Sequence, residues 1–248
     1  MPYYAMEHVD GADLARVSAV LSPWLSEHRV ALSTGHLARA VAADADAAEE
    51  PPSLDDVEGP PLHQRLAQLF ADAADGLQHL HDEGIVHRDI KPGNLMLTAD
   101  ARRIVVMDLG LARIADASAG LTAADDRVLG TLRYMPPEQL EKNLDQIDGR
   151  ADVYALGATL YELITGRPYL DGDSRERLVH QILHGTPPRP STLRSELPPS
   201  FDTVIAKATA RDPAQRYPSA AALAADLRRL ADGDTVTAAP RPRRWGRW

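Results

Sequence analysis

The sequence predicts a mainly α-helical fold of the α+β family with short β-hairpins, and three patterns carry that prediction. Apolar side chains recur every three or four residues over 62–80, which makes one apolar helix face that ends before Gly84. A second helical pattern, over 151–164, is apolar on most sides, so we expect this helix to be central. Short apolar runs at 94–97 and 104–107 flank a polar turn, which is typical of a hairpin.

The segments around these patterns complete the predicted organisation. Residues 1–11 are expected to form a short apolar strand and a turn, and residues 12–43 to be helical with a break near Pro23. Residues 44–61 hold seven acidic side chains and no basic one, which is typical of a solvated linker or surface insertion. Further helices are expected at about 173–184, 201–210 and 219–230, followed by a tail over 231–248.

Composition narrows the function classes. The 248-residue chain has a formal net charge of −9 at pH 7, which argues against nucleic acid as a partner. It contains no cysteine, so disulfides, iron–sulfur clusters, thiolate zinc sites and cysteine nucleophiles are excluded. The sequence has no run of about 18 apolar residues, and its first residues lack a signal-peptide pattern. We therefore expect a cytoplasmic location.

The segment His87–Asn94, between the first predicted helix and the hairpin, carries residue types that suit phosphoryl transfer. The carboxylate of Asp89 can accept a proton from a hydroxyl nucleophile, and Lys91 can neutralise a transferring phosphoryl group. Asn94 and Asp108, at the two ends of the hairpin, offer the oxygen ligands that Mg²⁺ prefers. The spacing of these four side chains indicates one catalytic site.

In this order, these residues resemble the large C-terminal lobe of the bacterial eukaryotic-like (Hanks-type) serine/threonine protein kinases. The resemblance implies a hinge segment at 1–11 and a kinase C-lobe over 12–230. It implies transfer of the ATP γ-phosphoryl group to protein serine or threonine, with Mg²⁺ or Mn²⁺. By the same resemblance, Asp89 is the catalytic base and Lys91 assists it, while Asn94 and Asp108 are metal ligands that also bind the nucleotide.

Further matches follow in the expected order. The segment Gly130–Glu138 resembles the end of a kinase activation segment, with Pro-Pro-Glu where the family has Ala-Pro-Glu. Thr131 matches a threonine that helps to set hydroxyl specificity, and Asp152 matches a central-helix aspartate that braces the catalytic loop. Glu138 is expected to pair with Arg216. The remaining structural matches are His87, Arg88 and Gly110.

The resemblance also implies regulatory and nucleotide contacts. An arginine before the catalytic aspartate, here Arg88, can pair with a phosphorylated activation loop, for which Thr122 and Ser118 are the candidate acceptors. The acidic pair 125–126 is read either as a stand-in for that phosphate or as exposed loop acids. The segment Met6–Gly11 resembles the interlobe hinge, with Met6 as gatekeeper and the backbones of Glu7 and Val9 facing the adenine.

The small lobe of the family has no counterpart in this sequence. No lysine precedes Lys91, and the earlier glycines are too scattered for a Gly-rich loop. We therefore expect the isolated chain to be weakly active or inactive. Three readings stay open: an excerpt of an active kinase, a one-lobe pseudokinase that acts as a binding or scaffold module, and half of a split kinase. The Pro-Pro-Glu element and its Arg216 partner argue against a small-molecule phosphotransferase.

The last eight residues, 241–248, are basic and aromatic. They fit either a disordered tail or a juxtamembrane segment, because arginine and tryptophan favour the cytoplasmic membrane interface. The partners expected from the sequence are a protein substrate, a small lobe from the same gene or a separate chain, and a nearby inner membrane.

Overall fold

The structure is a computed structural model that describes residues 9–27, 32–43, 59–108, 126–140 and 147–239, without the side chains of 126–128. The predicted hinge residues Met6 and Glu7, the structural Gly110, and the phosphosites Thr122 and Ser118 lie outside the described residues. Most of the acidic insertion and the tail from residue 240 lie outside them as well.

Three strands and three long helices make up the first half of the described chain. The strands are β1 (Gly11–Asp13), β2 (Leu95–Thr98) and β3 (Ile104–Val106). The helices are α1 (Leu14–Glu27), α2 (Thr34–Ala42) and α3 (Leu62–Asp82).

Seven helices follow in the second half. They are α4 (Asp126–Leu132), α5 (Pro137–Leu140), α6 (Arg150–Thr165), α7 (Arg175–His184), α8 (Pro190–Leu193), α9 (Pro199–Ala208) and α10 (Ala220–Asp232). The mainly helical class with a small sheet is confirmed. Among the helices in the described ranges, none combines the length and apolar character that a membrane span requires.

The sheet is antiparallel in the order β1-β2-β3, and its second and third strands are the predicted hairpin. Leu95 pairs with Val106 across the hairpin, and Ala12 of β1 pairs with Leu97. A side chain at Gly11 would put its Cβ 2.9 Å from the carbonyl carbon of Leu97. Glycine therefore allows β1 to lie close against β2 at this point.

The core is built around α6, which is buried along almost its whole length, as the sequence predicts for this helix. Helix α3 packs against it and against α10. The apolar face of α3 includes Leu66, Leu69, Phe70 and Leu77, none of which is exposed to solvent. Burial of each such side chain contributes about 1.5–3 kcal/mol to folding, so this face holds the helix that leads into the segment His87–Asn94.

Residues 12 and 13, which the sequence predicts to be helical, belong to strand β1. Two further boundaries differ from the sequence prediction. The break expected near Pro23 is absent, and α1 continues through this residue because Leu21, Trp24 and Leu25 are buried on one side of the helix. The packing energy of that face outweighs the single backbone hydrogen bond that proline removes. The second difference is at the C-terminal end, where residues 233–238 fold back on α10, whereas the sequence predicts a tail from residue 231.

Candidate active site

The loop between α3 and β2 is held by hydrogen bonds to a buried carboxylate of α6. Oδ2 of Asp152 accepts a hydrogen bond from the backbone N–H of His87 at 2.8 Å, and Oδ1 accepts one from Arg88 at 2.8 Å. Arg88 has a φ of 63°, a left-handed conformation that costs a non-glycine residue about 1–3 kcal/mol. The two hydrogen bonds to Asp152 offset this cost and fix the turn that precedes Asp89.

The His87 side chain ties the same loop to the end of the hairpin. Its Nε2–H donates to the carbonyl oxygen of Met107 at 2.9 Å, and its Nδ1 accepts the N–H of Asp89 at 3.3 Å. The N–H of Met107 in turn donates to the carbonyl oxygen of Asn94 at 2.8 Å. Asp108, the next residue, also has a positive φ, of 51°. Two of the three non-glycine residues with positive φ in the described chain therefore belong to this site.

The carboxylate of Asp89 lies at the centre of a compact polar cluster. Nζ of Lys91 donates to Asp89 Oδ2 at 3.0 Å and to Oγ1 of Thr131 at 3.2 Å. Nδ2 of Asn94 donates to the carbonyl oxygen of Asp89 at 2.8 Å and to its Oδ2 at 3.1 Å. A carboxylate oriented in this way can accept a proton from a hydroxyl group, and the ammonium group beside it can neutralise an incoming phosphoryl group.

The side chains of Asn94 and Asp108 carry oxygen donors that suit a hard divalent cation. Because Nδ2 of Asn94 is committed to Asp89, its Oδ1 is the atom left for a metal, and Asp108 offers a carboxylate. Oxygen ligands of this kind fit Mg²⁺ or Mn²⁺. No cluster of three or more histidine, aspartate or glutamate side chains in the described ranges forms an alternative metal centre.

The activation-segment end is anchored by an ion pair across the domain. Both oxygens of Glu138 accept from the guanidinium group of Arg216, at 2.6 and 2.7 Å. The Arg216 side chain is 0% exposed and that of Glu138 is 22% exposed. Arg216 also donates to the carbonyl oxygens of Ala210, Arg150 and Arg211. The pair therefore links the segment after α4 to the start of α6.

Of the other predicted site residues, Val9 is described and half-buried just before β1. Gln139, next to Glu138, donates from Nε2 to the carbonyl oxygen of Arg88 at 3.0 Å. The structure thus brings the catalytic loop, the hairpin end and the activation-segment end together. The catalytic roles assigned to these residues stay predictions.

Sequence reasoning missed two further polar networks around this site. Tyr134 donates to Oε2 of Glu162 at 2.5 Å, and Ser18 of α1 donates to Oε1 at 2.9 Å. Burial, and then the charge of Glu162, raise the pKa of the Tyr134 hydroxyl, so it remains a donor. In the second network, His81 at the end of α3 contacts Asp152. No local motif marks Glu162 or His81, because each lies on a helix face whose polar partner is distant in sequence.

Comparison with known proteins defines the class to which this site belongs. The protein kinase domain family matches residues 55–227, which is more than half of the chain, and the chain therefore belongs to that family. The predicted resemblance to bacterial eukaryotic-like kinases is confirmed at this level.

The individual relatives are bacterial enzymes. The chain is 36% identical over 241 residues to the serine/threonine-protein kinase PknB of Mycobacterium tuberculosis, covering 90% of this chain and 38% of the relative. It is 42% identical over 178 residues to PknB of Mycobacterium leprae, covering 71% of this chain and 28% of the relative. A probable serine/threonine-protein kinase of Streptomyces coelicolor is 38% identical over 177 residues, with shares of 71% and 26%. The chain thus spans less than two fifths of the length of these relatives.

Proposed function

We propose that this chain is the catalytic large lobe of a serine/threonine protein kinase, which transfers the ATP γ-phosphoryl group to a protein hydroxyl. The observation that carries the proposal is the hydrogen-bonded cluster of Asp89, Lys91 and Asn94, with Thr131 in reach of the lysine. Family membership and the names of the relatives support the same activity.

In the proposed reaction, Asp89 orients the substrate hydroxyl and accepts its proton. The hydroxyl oxygen forms a bond to the γ-phosphorus as the bond to the bridging oxygen of ADP breaks. The ammonium group of Lys91 lies beside the carboxylate of Asp89, which binds the attacking hydroxyl. From this position Lys91 stabilises negative charge on the group being transferred to that hydroxyl. A bound Mg²⁺ or Mn²⁺ would neutralise charge on the phosphates, and Asn94 and Asp108 are the residues that would hold it.

Hydroxyl specificity is proposed to arise from Thr131. Its Oγ1 accepts a hydrogen bond from Lys91, which also contacts Asp89, so the activation segment and the base share one lysine. A serine or threonine hydroxyl would enter beside this lysine. Arg88 is proposed to order the activation loop once Thr122 or Ser118 is phosphorylated, through charge-assisted hydrogen bonds.

We propose further that the ATP-clamping elements come from outside these 248 residues, from the same gene or from a separate chain. The family reaction needs a Gly-rich loop and a strand lysine, and no lysine precedes Lys91 here. The chain alone should therefore transfer phosphate weakly or not at all. The alternative, a one-lobe scaffold, is less well supported, because a scaffold has no chemical need for the Asp89 cluster.

The test is phosphate transfer from radiolabelled ATP to a generic protein substrate with Mg²⁺, using the full chain supplied with the small lobe of a PknB relative. Replacement of Asp89 by Asn should lower the rate by at least about 10²-fold, because the proton acceptor is lost. Asp232→Asn is the matched control, since this carboxylate is exposed at the end of α10 and should have no effect. Transfer that persists in Asp89→Asn, or a completed enzyme without transfer, would overturn the proposal.

A membrane-proximal position at the cytoplasmic face is proposed for the segment 241–248 from its arginine and tryptophan content. Co-sedimentation with anionic phospholipid vesicles at low salt tests it, with a chain ending at Pro240 as the control. We expect binding by the full chain and its loss in the shortened one. Equal sedimentation of the two would remove this part of the proposal.

A further inference from the structure

Helix α7 carries two histidines on its solvent side, one helical turn apart. His180 and His184 are both exposed, whereas Leu178 and Ile182 of the same helix are buried. Residues four positions apart are neighbours on a helix surface. The two imidazole rings are accordingly adjacent, and the distance between their centroids is 5.0 Å.

The separation of the two rings fits a shared metal ion. Zinc binds imidazole nitrogen at about 2.0–2.1 Å with tetrahedral angles, which places the centres of two bound rings about 5 Å apart. The ring planes of His180 and His184 are inclined by 59°, so the rings are not stacked face to face. Stacked rings direct their nitrogen lone pairs along parallel lines, whereas inclined rings can direct them towards one point.

The end of the helix is also electrostatically suited to a cation. His184 lies in the last turn of α7, where the partial negative charge of the helix C-terminus stabilises positive charge. Glu176, one turn before His180, adds an exposed carboxylate to the same side of the helix. Both features favour a bound cation over an anion at this surface.

Two arginines near the pair are engaged with other groups. Arg177 pairs with Asp173 at 3.2 Å, which offsets its charge. Arg211 donates to the carbonyl oxygen of Gly185, the residue after the helix. A guanidinium group has no lone pair to offer, so neither arginine competes with the imidazoles as a ligand.

We propose that His180 and His184 chelate a divalent transition-metal ion such as Zn²⁺ on the exposed side of α7. Two histidines at this spacing on one helix face are a known arrangement for binding zinc. In the described ranges no third histidine, aspartate or glutamate side chain completes the set, so water fills the remaining positions of the ion. Imidazole suits zinc, whereas Mg²⁺ prefers oxygen, which distinguishes this site from the one proposed at Asn94 and Asp108.

The position of the pair gives metal binding a local consequence. On the buried side of α7, Leu178 and Ile182 form a small apolar cluster with Leu132 at the end of α4. An ion that joins two successive turns of α7 stabilises the helical form of 180–184 and so opposes local opening of this end of the helix. The site does not depend on the proposed kinase function.

Isothermal titration calorimetry of the full chain with Zn²⁺, in a buffer with excess Mg²⁺ to occupy oxygen sites, tests the proposal. We expect saturable binding whose affinity falls at least about tenfold in His180→Ala and in His184→Ala, because either change destroys the chelate. His79→Ala is the matched control, since His79 is an exposed helical histidine with no other histidine one turn away. Absence of saturable binding, or unchanged affinity in both α7 variants, would overturn the proposal.

A change of spacing tests whether the two rings act together. The double variant Gln181→His, His184→Ala keeps the number of histidines but places them at adjacent positions, which do not face each other on a helix. It should bind Zn²⁺ no more tightly than His184→Ala alone. Affinity restored to that of the wild-type chain would show that the number of histidines matters and not their arrangement, which contradicts the proposal.

Amide hydrogen exchange locates the bound ion. Zinc at a hundred times its dissociation constant should slow exchange in the last turn of α7 about tenfold or more in the wild-type chain, and should have no effect there in His180→Ala. Exchange in the middle of α3, at residues 66–70, should be the same with and without zinc. Zinc binding that leaves the last turn of α7 unprotected would place the ion elsewhere and overturn the assignment.

Discussion

Arg216 brings a full positive charge into the interior of the domain, with an exposure of 0%. Such a charge is tolerated because both carboxylate oxygens of Glu138 accept hydrogen bonds from it. Three backbone carbonyl groups accept from the same guanidinium group. Its guanidinium carbon also lies 5.0 Å from the centre of the Tyr154 ring. At the residue scale, the fold therefore depends strongly on a single acidic partner.

Glu138→Gln should lower the free energy of unfolding by about 3–5 kcal/mol, because it leaves Arg216 buried without its counter-charge. Urea unfolding followed by far-UV circular dichroism measures the change. Asp173→Asn is the matched control, since Asp173 pairs with Arg177 on the surface, and its effect should stay below about 1 kcal/mol. Similar changes for the two variants would show that the buried pair contributes no more than an exposed one.

At the scale of an element, one buried carboxylate of α10 holds the segment that follows the helix, residues 233–238, against the helix. Asp226 is 0% exposed and accepts from the hydroxyl group of Tyr217 at 2.9 Å. It also accepts from the N–H and Oγ1–H of Thr237 and from the N–H of Ala238, at 2.7 to 2.9 Å. Burial by itself would raise the pKa of Asp226, but the hydrogen bonds from Thr237, Tyr217 and Ala238 outweigh it and lower the pKa.

A lowered pKa in the folded state predicts the direction of the pH dependence. The stabilisation by ionised Asp226 is fully present above its ordinary pKa of 3.8 and is lost as the pH falls from there through the folded-state pKa. The wild-type chain should therefore lose more stability between neutral pH and about pH 3 than Asp226→Asn, which begins less stable at about pH 7. Urea unfolding at several pH values tests this. Parallel curves for the two proteins would contradict the prediction.

At the scale of the whole molecule, the described chain forms one packed helical body in which α6 contacts α1, α3, α9 and α10. The candidate active site lies where the loop after α3, the hairpin end and the activation-segment end meet on this body. The proposed large-lobe assignment would account for the proposed base and metal ligands, and no lysine precedes Lys91 that could serve as the family's phosphate-clamping lysine.

The native protein isolated from its own source should therefore have a mass above 27.0 kDa, if the same gene supplies the small lobe. Peptides upstream of Met1 should then include closely spaced glycines and a lysine. Intact-mass and peptide mass spectrometry make this measurement. A native mass of 27.0 kDa would exclude the same-gene source and leave a separate small-lobe chain or a scaffold role.

Much of the fold and site could be predicted from the sequence, because the relevant signals are local. The helical spacing over 62–80 reports the apolar face of α3, and two short apolar runs report the hairpin. The residues from His87 to Asn94 lie within one loop, so the spacing of Asp89, Lys91 and Asn94 already places them close together. Mainly helical class and kinase family both follow from signals of this kind.

Only the tertiary structure decided which distant groups meet. His81 and Asp152 are separated by 71 positions in the sequence. That the missing side chain of Gly149 leaves room for the His81 imidazole is recognisable only once α3 and α6 are packed together. The continuation of α1 through Pro23 and the docking of residues 233–238 depend likewise on burial and on Asp226. Local periodicity and motif spacing determine elements and loop chemistry. Contacts between elements depend on the packing of whole faces, which no short stretch of sequence encodes.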